Sequence, residues 1–469
     1  MRVTPPGGIA ILSACLKRAG YHDMKLFDAT WYPVDQQLRD EGKAGGNRDR
    51  DRQKRGMFPD YEWKRDDIKL ELEDVDMYTA FRDMVLDFEP DVIISSIVED
   101  TFYLWKKFME KVSDRKFISV CGGVFCTYFP QAFEGKCDYI CRGEGDELLP
   151  ELMDLISEGK TGHHLANVHP NPMRPAINVN TLPVTDHEIF DERSLYRPFQ
   201  GEIIKIATVE TQRGCPFKCK FCNSPSNANL YKEETDSLFF RHRSVEHQEA
   251  EIKDLIDKHD IEVLWIVTDT FLTMSKKKFD EWAKMYSKYQ LPFFTQTRPE
   301  LLTEHQARTL KELGCLKLNM GVEHGDPKFR RDVIGRVYEN DRAIEAFRIA
   351  NDAGLSTTCN FIIGYPYETM ENCQQSIELA ARLNCNDTNA FIYTPYHGTP
   401  MRDMCVEAGF VPDDLIVEMR SDDQGTYLDM PRPYMNKEEI QYMYNNFVHL
   451  FRARERELKG ETISATIAA

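Results

Sequence analysis

Three cysteines crowd into one short stretch, Arg213-Gly214-Cys215-Pro216-Phe217-Lys218-Cys219-Lys220-Phe221-Cys222-Asn223, which directly follows a predicted strand. Their offsets of four and three residues let one tight loop direct all three thiols at one metal centre. Iron–sulfur clusters are held by cysteine thiolates, and a cubane cluster takes about four of them. The stretch therefore predicts a 4Fe–4S cluster on Cys215, Cys219 and Cys222, with one iron left for an outside ligand.

A structural zinc site and a set of buried, inert thiols are the alternatives. Structural zinc sites usually combine two separated ligand pairs, and no second Cys or Cys/His pair stands at a suitable spacing near the triplet. Inert thiols would not explain a C-x3-C-x2-C triplet flanked by glycine, proline and aromatic residues. The remaining ten of the thirteen cysteines are predicted to be mostly core residues, the usual fate of an unpaired thiol.

Strand and helix patterns alternate after residue 201. The six predicted strands cover residues 203–209, 263–268, 293–297, 316–321, 357–364 and 388–394, with helices predicted over 245–259, 276–289, 304–313, 340–353 and 370–383. Six strand–helix units are too few for the usual eight-stranded barrel. We therefore expect an open, partial (β/α)6 barrel over residues 201–400, followed by a small, mainly helical module over 401–469 with a helix at 437–458.

Strand and helix patterns also alternate over the first 165 residues and predict an α/β, doubly wound Rossmann-like domain. Its strands are expected at 24–29, 91–98, 117–123 and 139–145, and a charged insert over 36–74 is expected to be a surface loop or partly disordered. The sequence begins at a Pro-Pro turn, so the central first strand expected before that turn is apparently missing. Residues 166–200 are rich in proline, asparagine and histidine without periodicity and predict a linker.

Composition narrows the class of protein. A chain of 469 residues predicts two or three domains, at about 150 residues each. The 77 acidic residues outnumber the 59 basic ones, which gives a net charge of −18 and makes nucleic acid an unfavourable partner. We expect a cytoplasmic protein, because no stretch approaches the roughly 18 apolar residues of a membrane span and the N-terminus lacks the apolar core of a signal peptide.

The cysteine triplet, with an aromatic residue just before its last member, resembles that of the radical S-adenosylmethionine (SAM) superfamily. Segments at the ends of successive predicted strands, 241–245, 268–271, 295–302, 321–325, 364–369 and 395–400, are similar to those of the subgroup with an N-terminal cobalamin-binding domain. The resemblance implies that three cysteines hold a 4Fe–4S cluster and that SAM occupies the open iron. It also implies that an electron donor such as flavodoxin or ferredoxin reduces the cluster, and that SAM is cleaved to a 5′-deoxyadenosyl radical.

The same resemblance implies residues for SAM binding. Asp269 and Glu323 would contact its amino or ribose groups, Arg298 would pair with its carboxylate, and the segment with Gly364, Pro366 and Glu368 would lie near the adenine. No catalytic side chain is assigned. Trp265 is predicted to pack within the barrel and not to stack on a substrate.

For cobalamin, the resemblance implies glycine-rich turns of the first domain. The candidate residues are Pro6, Gly7, Gly122, Gly123, Gly143 and Glu144. The first domain lacks the D-x-H-x-x-G motif through which many corrinoid domains bind cobalt. The most similar segment, residues 257–262, ends in glutamate instead of glycine and lies in the second domain.

The reaction we expect is cobalamin-dependent methylation of a small biosynthetic intermediate. Cyclisation or rearrangement without methyl transfer is one alternative. A non-catalytic scaffold stapled by a metal is the other.

Overall fold

The computed structural model describes residues 5–33, 64–418 and 425–461. Most of the predicted insert over 36–74 therefore lies outside the described residues. Among the described helices, none is both long and apolar enough to cross a membrane.

A parallel sheet of three strands forms the centre of the N-terminal domain. Its strands are β1 (Val92–Ser96), β2 (Ile118–Gly122) and β3 (Tyr139–Ile140), in the order β1-β2-β3. The helices Gly7–Arg18, Met77–Phe88, Phe102–Lys111, Val124–Tyr128 and Leu148–Ser157 surround it. The strand and helix alternation predicted here is confirmed.

The strand predicted at 24–29 is wrong, because residues 24–28 pair with no strand and a 3-10 turn starts at Ala29. Asp28 caps that turn by accepting a hydrogen bond from the backbone N–H of Thr30. Phe27 packs between the rings of Phe81 and Phe108, at centroid distances of 5.1 and 5.4 Å. The apolar residues of this segment thus anchor a loop to two helices and do not extend the sheet.

The second sheet has seven strands in the order β12-β11-β10-β9-β8-β5-β4. Six of them run parallel, as the sequence predicts: β5 (Glu202–Glu210), β8 (Val263–Val267), β9 (Phe293–Thr297), β10 (Cys315–Glu323), β11 (Thr357–Ile363) and β12 (Asp387–Ile392). The helices Val245–His259, Lys276–Tyr286, Glu304–Glu312, Asn340–Asp352 and Met370–Arg382 follow these strands in turn. The curled, partial barrel predicted for this domain is confirmed.

The seventh strand, β4 (Tyr196–Phe199), lies in the predicted linker and pairs antiparallel with β5. A two-residue loop, Gln200-Gly201, joins the two strands with positive φ angles of 51° and 92°. Such a loop favours a tight hairpin, because its twist matches that of the flanking strands. Pro198 is tolerated because β4 is the edge of the sheet.

Alternate residues of each barrel strand face opposite ways. Leu318, Met320 and Val322 of β10 are fully buried in the main core with the surrounding helices. Asn319 and Gly321, between them, are only partly buried and line the lumen on the other face. The C-terminal helix Lys437–Leu458 covers the last strands of the barrel.

Candidate cluster and cofactor site

The cysteine loop begins where β5 ends. A short pair, β6 (Gln212–Arg213) with β7 (Arg241–His242), leads into Gly214 at φ +81°. A side chain on Gly214 would place its Cβ 2.8 Å from the Phe239 ring, so only glycine fits this turn. The loop then enters the helix Ser224–Thr235, which the sequence patterns did not predict.

Each thiol of the triplet has a polar neighbour. The Sγ of Cys215 lies 3.7 Å from Thr270 Oγ1, Arg298 Nη1 donates to Cys219 Sγ at 3.4 Å, and the Ser224 backbone N–H donates to Cys222 Sγ at 3.4 Å. Hydrogen bonds to the sulfurs are one means by which a protein sets the potential of an iron–sulfur cluster. Burial raises the pKa of the Cys222 thiol to about 12, so metal binding must displace its proton.

A cubane cluster and a zinc site differ in where the thiolates bind. A single zinc ion draws all its thiolates to about 2.3 Å from one point, whereas a cubane spreads them over separate irons. The choice of a cluster over the structural zinc alternative stays a prediction from the sequence.

Arg298, at the end of β9, is already engaged by protein groups. Its Nε donates to Glu300 Oε1 at 2.6 Å, its Nη1 donates to Cys219, and its guanidinium lies 3.7 Å above the Phe217 ring. Arg298 therefore closes one side of the cysteine loop. Its pairing with a SAM carboxylate stays a prediction.

Glu323 stands at the end of β10, after a bulge that starts at Gly321. Its backbone has a φ of +69°, and its carboxylate accepts a hydrogen bond from Arg336 Nη1 at 2.7 Å. Burial raises the pKa of Glu323, while the nearby Arg336 and Arg298 oppose that shift. The chain thus holds a buried acid–base pair next to the cysteine loop.

Arg336 is a residue that sequence reasoning missed. It is 2% exposed, and among the described residues its Nε and Nη2 find no hydrogen-bond acceptor. It is also close enough to Cys219 for their charges to interact. Its Nη2 lies 3.9 Å from Glu300 Oε2, an ion pair longer than a hydrogen bond. Arg336 is therefore a buried guanidinium beside the cluster loop with two donors outside any hydrogen bond among the described residues.

Asp269 follows β8 and accepts a hydrogen bond from Ser224 Oγ at 3.0 Å. Burial raises its pKa. Because Ser224 also touches Cys222, Asp269 lies on the same side of the loop as that thiol. Its role in SAM binding stays a prediction.

The segment from Gly364 to Glu368 is a turn that the side chain of its own last residue stabilises. The Glu368 carboxylate is fully buried, and its Oε2 accepts from the backbone N–H groups of Gly364 and Tyr365 at 2.6 and 3.0 Å. Its Oε1 lies 3.2 Å from His324 Nε2. Glu368 therefore shapes the turn, and the predicted place of Gly364 and Pro366 near the adenine rests on the backbone of that turn.

A cavity of about 530 Å³ separates the two sheets. All six residues proposed for cobalamin line it: Pro6, Gly7, Gly122, Gly123, Gly143 and Glu144. On the barrel side, Thr208 and Glu210 of β5 and Trp265 and Val267 of β8 line the same space. Trp265 stacks on Phe294 at 5.4 Å between ring centroids, so it packs in the barrel and also forms part of the cavity wall.

Two glycines of this cavity are required by their own turns. A Cβ on Gly123, at φ +101°, would lie 2.6 Å from the Ile97 carbonyl oxygen, and one on Gly143, at φ +70°, would lie 2.6 Å from Tyr231 Oη. Each turn therefore excludes a side chain because it would clash with the protein itself. Contact of these glycines with cobalamin stays a prediction.

Glu144 lines this cavity and is also engaged by protein groups. Both its carboxylate oxygens accept hydrogen bonds, from Arg213 at 2.9 Å and from Arg241 at 2.7 and 2.9 Å. Arg213 also pairs with Asp146, at 2.8 Å. Glu144 therefore ties the first sheet to the base of the cysteine loop, and its contact with cobalamin stays a prediction.

Residues 209–380 match the Radical SAM superfamily. Residues 209–380 of this chain form a radical SAM domain. The cluster loop, β8 to β11 and most of the helix after β11 lie within the matched residues. The match supports an enzyme and disfavours the scaffold alternative.

Relatives and solved structures extend this likeness to both domains. The chain is 28% identical over 333 residues to an uncharacterized methyltransferase of Pyrococcus horikoshii, covering 66% of this chain and 68% of that protein. It is 25% identical over 403 residues to the anaerobic magnesium-protoporphyrin IX monomethyl ester cyclase of Rubrivivax gelatinosus, covering 77% and 69%.

Two structures share the fold. The radical SAM methyltransferase TsrM from Kitasatospora setae, solved with cobalamin and a 4Fe–4S cluster, has a TM-score of 0.62 at 14% identity over 89% of this chain and 80% of that one. The cobalamin-dependent radical enzyme OxsB, solved with aqua-cobalamin, has a TM-score of 0.53 at 16% identity over 80% and 50%. At these identities the likeness establishes the fold.

His187 is a second residue that the radical SAM resemblance did not reveal. It is 4% exposed and lines the cavity, and neither ring nitrogen has a hydrogen-bond partner among the described residues. Burial lowers its pKa to about 4. It lies within the predicted linker, where no motif marks it.

The lumen of the radical SAM barrel is lined with amides. Gln296 of β9 is the register partner of Asn319 of β10, and Asn360 of β11 is the register partner of Asn389 of β12. Asn389 donates to Asn360 across that pair at 3.0 Å. These partly buried side chains offer both donors and acceptors to a molecule in the lumen.

Proposed function

We propose that this chain is a cobalamin-dependent radical SAM methyltransferase that acts on a small, uncharged polar substrate. One observation carries the proposal: the glycine-lined cavity of the first domain is also walled by the inner face of the barrel. Gly122 and Gly123 face Thr208 and Trp265 across a single space. A corrinoid in that space would lie beside the lumen in which SAM and substrate meet.

The residues present fit the implied cofactors. Cys215, Cys219 and Cys222 would hold the cluster, and the glycine turns would receive the corrin ring. When bound, the reduced cluster supplies the electron that cleaves SAM to a 5′-deoxyadenosyl radical, and the corrinoid supplies the methyl group. The protein orients these groups and excludes water from them.

We infer an orientation for SAM from the chain's own charges. Arg336 would receive the carboxylate through Nε and Nη2, which form no hydrogen bond among the described residues. Glu323, held by Arg336, would accept from the ribose hydroxyls or the amino group. Asp269 would contact the amino group from the opposite side of the loop. The buried setting strengthens each of these interactions, because little water competes for them.

The lumen limits the substrate class. Lys317 and Asp387, near the lower end of the barrel, form an ion pair with each other, and Glu323 pairs with Arg336. The amides of Gln296 and Asn319 are neutral. Burying an unpaired charge beside them would cost several kcal/mol, on the order of the desolvation penalty of an ion. A neutral molecule with both donors and acceptors therefore matches this lining best.

Support for methylation comes from relatives. The P. horikoshii protein is named a methyltransferase, and TsrM is a radical SAM methyltransferase whose structure contains cobalamin. The R. gelatinosus relative is named a cyclase, so ring formation is the second candidate. The products of SAM distinguish the two reactions.

The test is anaerobic reconstitution of the full chain with iron, sulfide and hydroxocobalamin, followed by dithionite and SAM. We expect a visible cluster absorption that bleaches on reduction, a retained corrinoid spectrum, and release of 5′-deoxyadenosine. A methyltransferase also forms S-adenosylhomocysteine, whereas a cyclase forms 5′-deoxyadenosine alone.

Cys219→Ala tests the cluster, and Cys137→Ala is its matched control. Cys137 is also partly buried but lies in the first domain, outside the triplet. We expect Cys219→Ala to lose the cluster absorption and SAM cleavage, and Cys137→Ala to keep both. The proposal fails if Cys219→Ala still cleaves SAM, or if the wild type binds zinc and no iron.

A further inference from the structure

Two buried cysteines outside the cluster triplet lie side by side in the barrel. Cys359 belongs to β11, and Cys385 lies two residues before β12 begins. Their Sγ atoms are 3.0 Å apart, although the two residues are separated by 26 positions in the chain. This distance is shorter than the about 3.5–4.0 Å of an ordinary contact between non-bonded carbon atoms, and sulfur is the larger atom. The fold therefore brings two thiols into direct contact.

The pairing of β11 with β12 fixes this contact. Cys359 is the register partner of Thr388 in that parallel pair. The Thr388 hydroxyl oxygen lies 3.1 Å from Cys359 Sγ and 3.2 Å from Cys385 Sγ. On the other side, the Asn386 backbone N–H donates to the Thr357 carbonyl at 3.2 Å. The two sulfurs are therefore held from both directions by the sheet itself.

The two thiols differ in their surroundings. Cys359 is fully buried, whereas Cys385 is 5% exposed and lies in a short loop in which both flanking residues are exposed. The pKa of Cys385 is lowered, because Cys359 and then Thr388 donate hydrogen bonds to its sulfur, and the nearby Arg452 guanidinium lowers the pKa further. Burial raises the pKa of Cys359. Since the thiolate is the reactive form of cysteine, Cys385 is the nucleophile of the pair.

Cys315 shows the contrasting case of a core thiol. It begins the neighbouring strand β10 and is 3% exposed, so its burial is close to that of Cys385. Its sulfur donates to the Lys317 carbonyl at 3.5 Å, and burial raises its pKa to about 12. Burial alone therefore makes an unreactive thiol, and the contact with a second sulfur distinguishes Cys385 from it.

We propose that Cys359 and Cys385 form an oxidation site at which a peroxide closes a reversible disulfide bond. First, the Cys385 thiolate attacks one oxygen of hydrogen peroxide: an S–O bond forms, the O–O bond breaks, and the released hydroxide takes up a proton to leave as water. Then the Cys359 sulfur attacks the resulting sulfenic acid: the S–S bond forms, the S–O bond breaks, and the second hydroxide leaves as water with the Cys359 proton. The thiols lose two electrons, and the peroxide gains them.

The bond joins the last two strands of the barrel at the end away from the cluster loop. The sulfurs approach from 3.0 Å to about 2.0 Å, a small movement between neighbouring strands. The closed loop contains the helix Met370–Arg382, on which the C-terminal helix Lys437–Leu458 packs. Arg452 of that C-terminal helix donates to the Asn386 carbonyl at 2.8 Å, beside Cys385. Oxidation therefore fixes the point at which the C-terminal helix meets the barrel.

The test is a thiol map of the reconstituted full-length protein after anaerobic treatment with hydrogen peroxide. A small cysteine-containing reference peptide in the same tube records the dose, and catalase stops the reaction. Free thiols are then alkylated in denaturant, and the protein is digested with trypsin and analysed by mass spectrometry. Cys359 and Cys373 lie in one tryptic peptide, so fragmentation spectra assign the bond to one of them. We expect the Cys359 and Cys385 peptides to be joined with the loss of two hydrogens, and dithiothreitol to restore both thiols.

Serine variants test the order of the two steps. In Cys359→Ser, the sulfenic acid on Cys385 has no partner, so dimedone should trap it there. In Cys385→Ser, the dimedone adduct on Cys359 should be at least about tenfold less abundant, because its thiol stays protonated. Cys315→Ser is the matched control and should form the disulfide within about twofold of the wild type. The midpoint of urea unfolding should rise on oxidation in the wild type and in this control, but not in Cys359→Ser.

The wild-type map decides the inference even if a serine variant folds poorly. The inference is refuted if Cys359 and Cys385 stay free when the reference thiol is fully oxidised. It is also refuted if Cys385 joins other cysteines as often as it joins Cys359, or if dimedone labels the two thiols equally in the serine variants. These readouts need no SAM cleavage, so they stand or fall independently of the proposed function.

Discussion

Replacing Gly123 by alanine should destabilise the first domain and empty its cavity. Gly123 has φ +101° and ψ −178°, a backbone region essentially reserved for glycine, which costs another residue about 1–3 kcal/mol. The new Cβ would also lie 2.6 Å from the carbonyl oxygen and 2.7 Å from the nitrogen of Ile97. Since both are backbone atoms, no side-chain rotation relieves the contact, and overpacking adds about 1–3 kcal/mol.

The clash falls on the hydrogen bonds that join the ends of β1 and β2. Ile97 N–H donates to the Gly122 carbonyl at 2.8 Å, and Phe125 N–H donates to the Ile97 carbonyl at 3.3 Å. Moving Ile97 therefore displaces the glycine turn that lines the cavity. We expect a loss of about 2–6 kcal/mol in the free energy of unfolding, the sum of the two costs.

The assay is urea unfolding of the protein followed by circular dichroism, with corrinoid retention after desalting as a second readout. For the unfolding measurement alone, Gly7→Ala is the matched control, because a Cβ there meets nothing within 4 Å and Gly7 begins a helix. Alanine should leave that variant unchanged, or more stable by up to about 1 kcal/mol. A Gly123→Ala protein within about 1 kcal/mol of the wild type, with its corrinoid retained, would refute the reasoning.

Three further predictions concern buried charged groups. Arg336→Lys should weaken SAM binding at least about tenfold by equilibrium dialysis, because a lysine cannot present two parallel donors. Arg298→Lys should weaken SAM binding less. A larger loss of affinity in Arg298→Lys than in Arg336→Lys would identify Arg298 as the carboxylate partner. Glu144→Gln should lower the free energy of unfolding by about 3 kcal/mol in urea titration, because it leaves buried guanidinium groups short of a charge, and an unchanged midpoint would count against that network. His187 should lower the free energy of unfolding by about 3 kcal/mol as the pH falls from about 6.5 to about 4. In this range the unfolded chain binds a proton at His187, whereas the folded protein, in which the pKa of His187 is about 4, stays unprotonated there. In His187→Gln the free energy of unfolding should no longer fall with pH in this way, whereas His163→Gln, a change at an exposed histidine, should keep the pH dependence. The same pH dependence in both variants would exclude His187 as its cause.

Helix positions in the barrel were predictable because their signals are local. The helices predicted to start at residues 245, 276, 304, 370 and 437 begin there, each after a Ser, Thr or Asn whose side chain accepts a hydrogen bond from the first turn. A cap acts within about four residues, so no distant contact is needed to place it.

Other features depend on partners far away in the chain. The segment at 24–29 looks like a strand, but Phe27 packs against helices and its backbone finds no neighbouring strand. The edge strand β4 forms because β5 is next to it, and Pro198 conceals it in the sequence. Secondary structure that needs a pairing partner cannot be decided from one segment alone.

For the site, the sequence by itself predicted the cluster ligands, since three thiols within eight residues can reach one centre through the loop's own geometry. The glycines that line the cavity were expected from the family resemblance and not from a local signal. Only the tertiary structure decided which buried charged groups have donors outside a hydrogen bond. Arg298 donates hydrogen bonds to Glu300 and Cys219, whereas the Nε and Nη2 of Arg336 form none among the described residues and Glu300 lies 3.9 Å from that Nη2. His187 and Trp265 reach the cavity because two domains close around it, and such long-range burial leaves no periodic signal in the sequence.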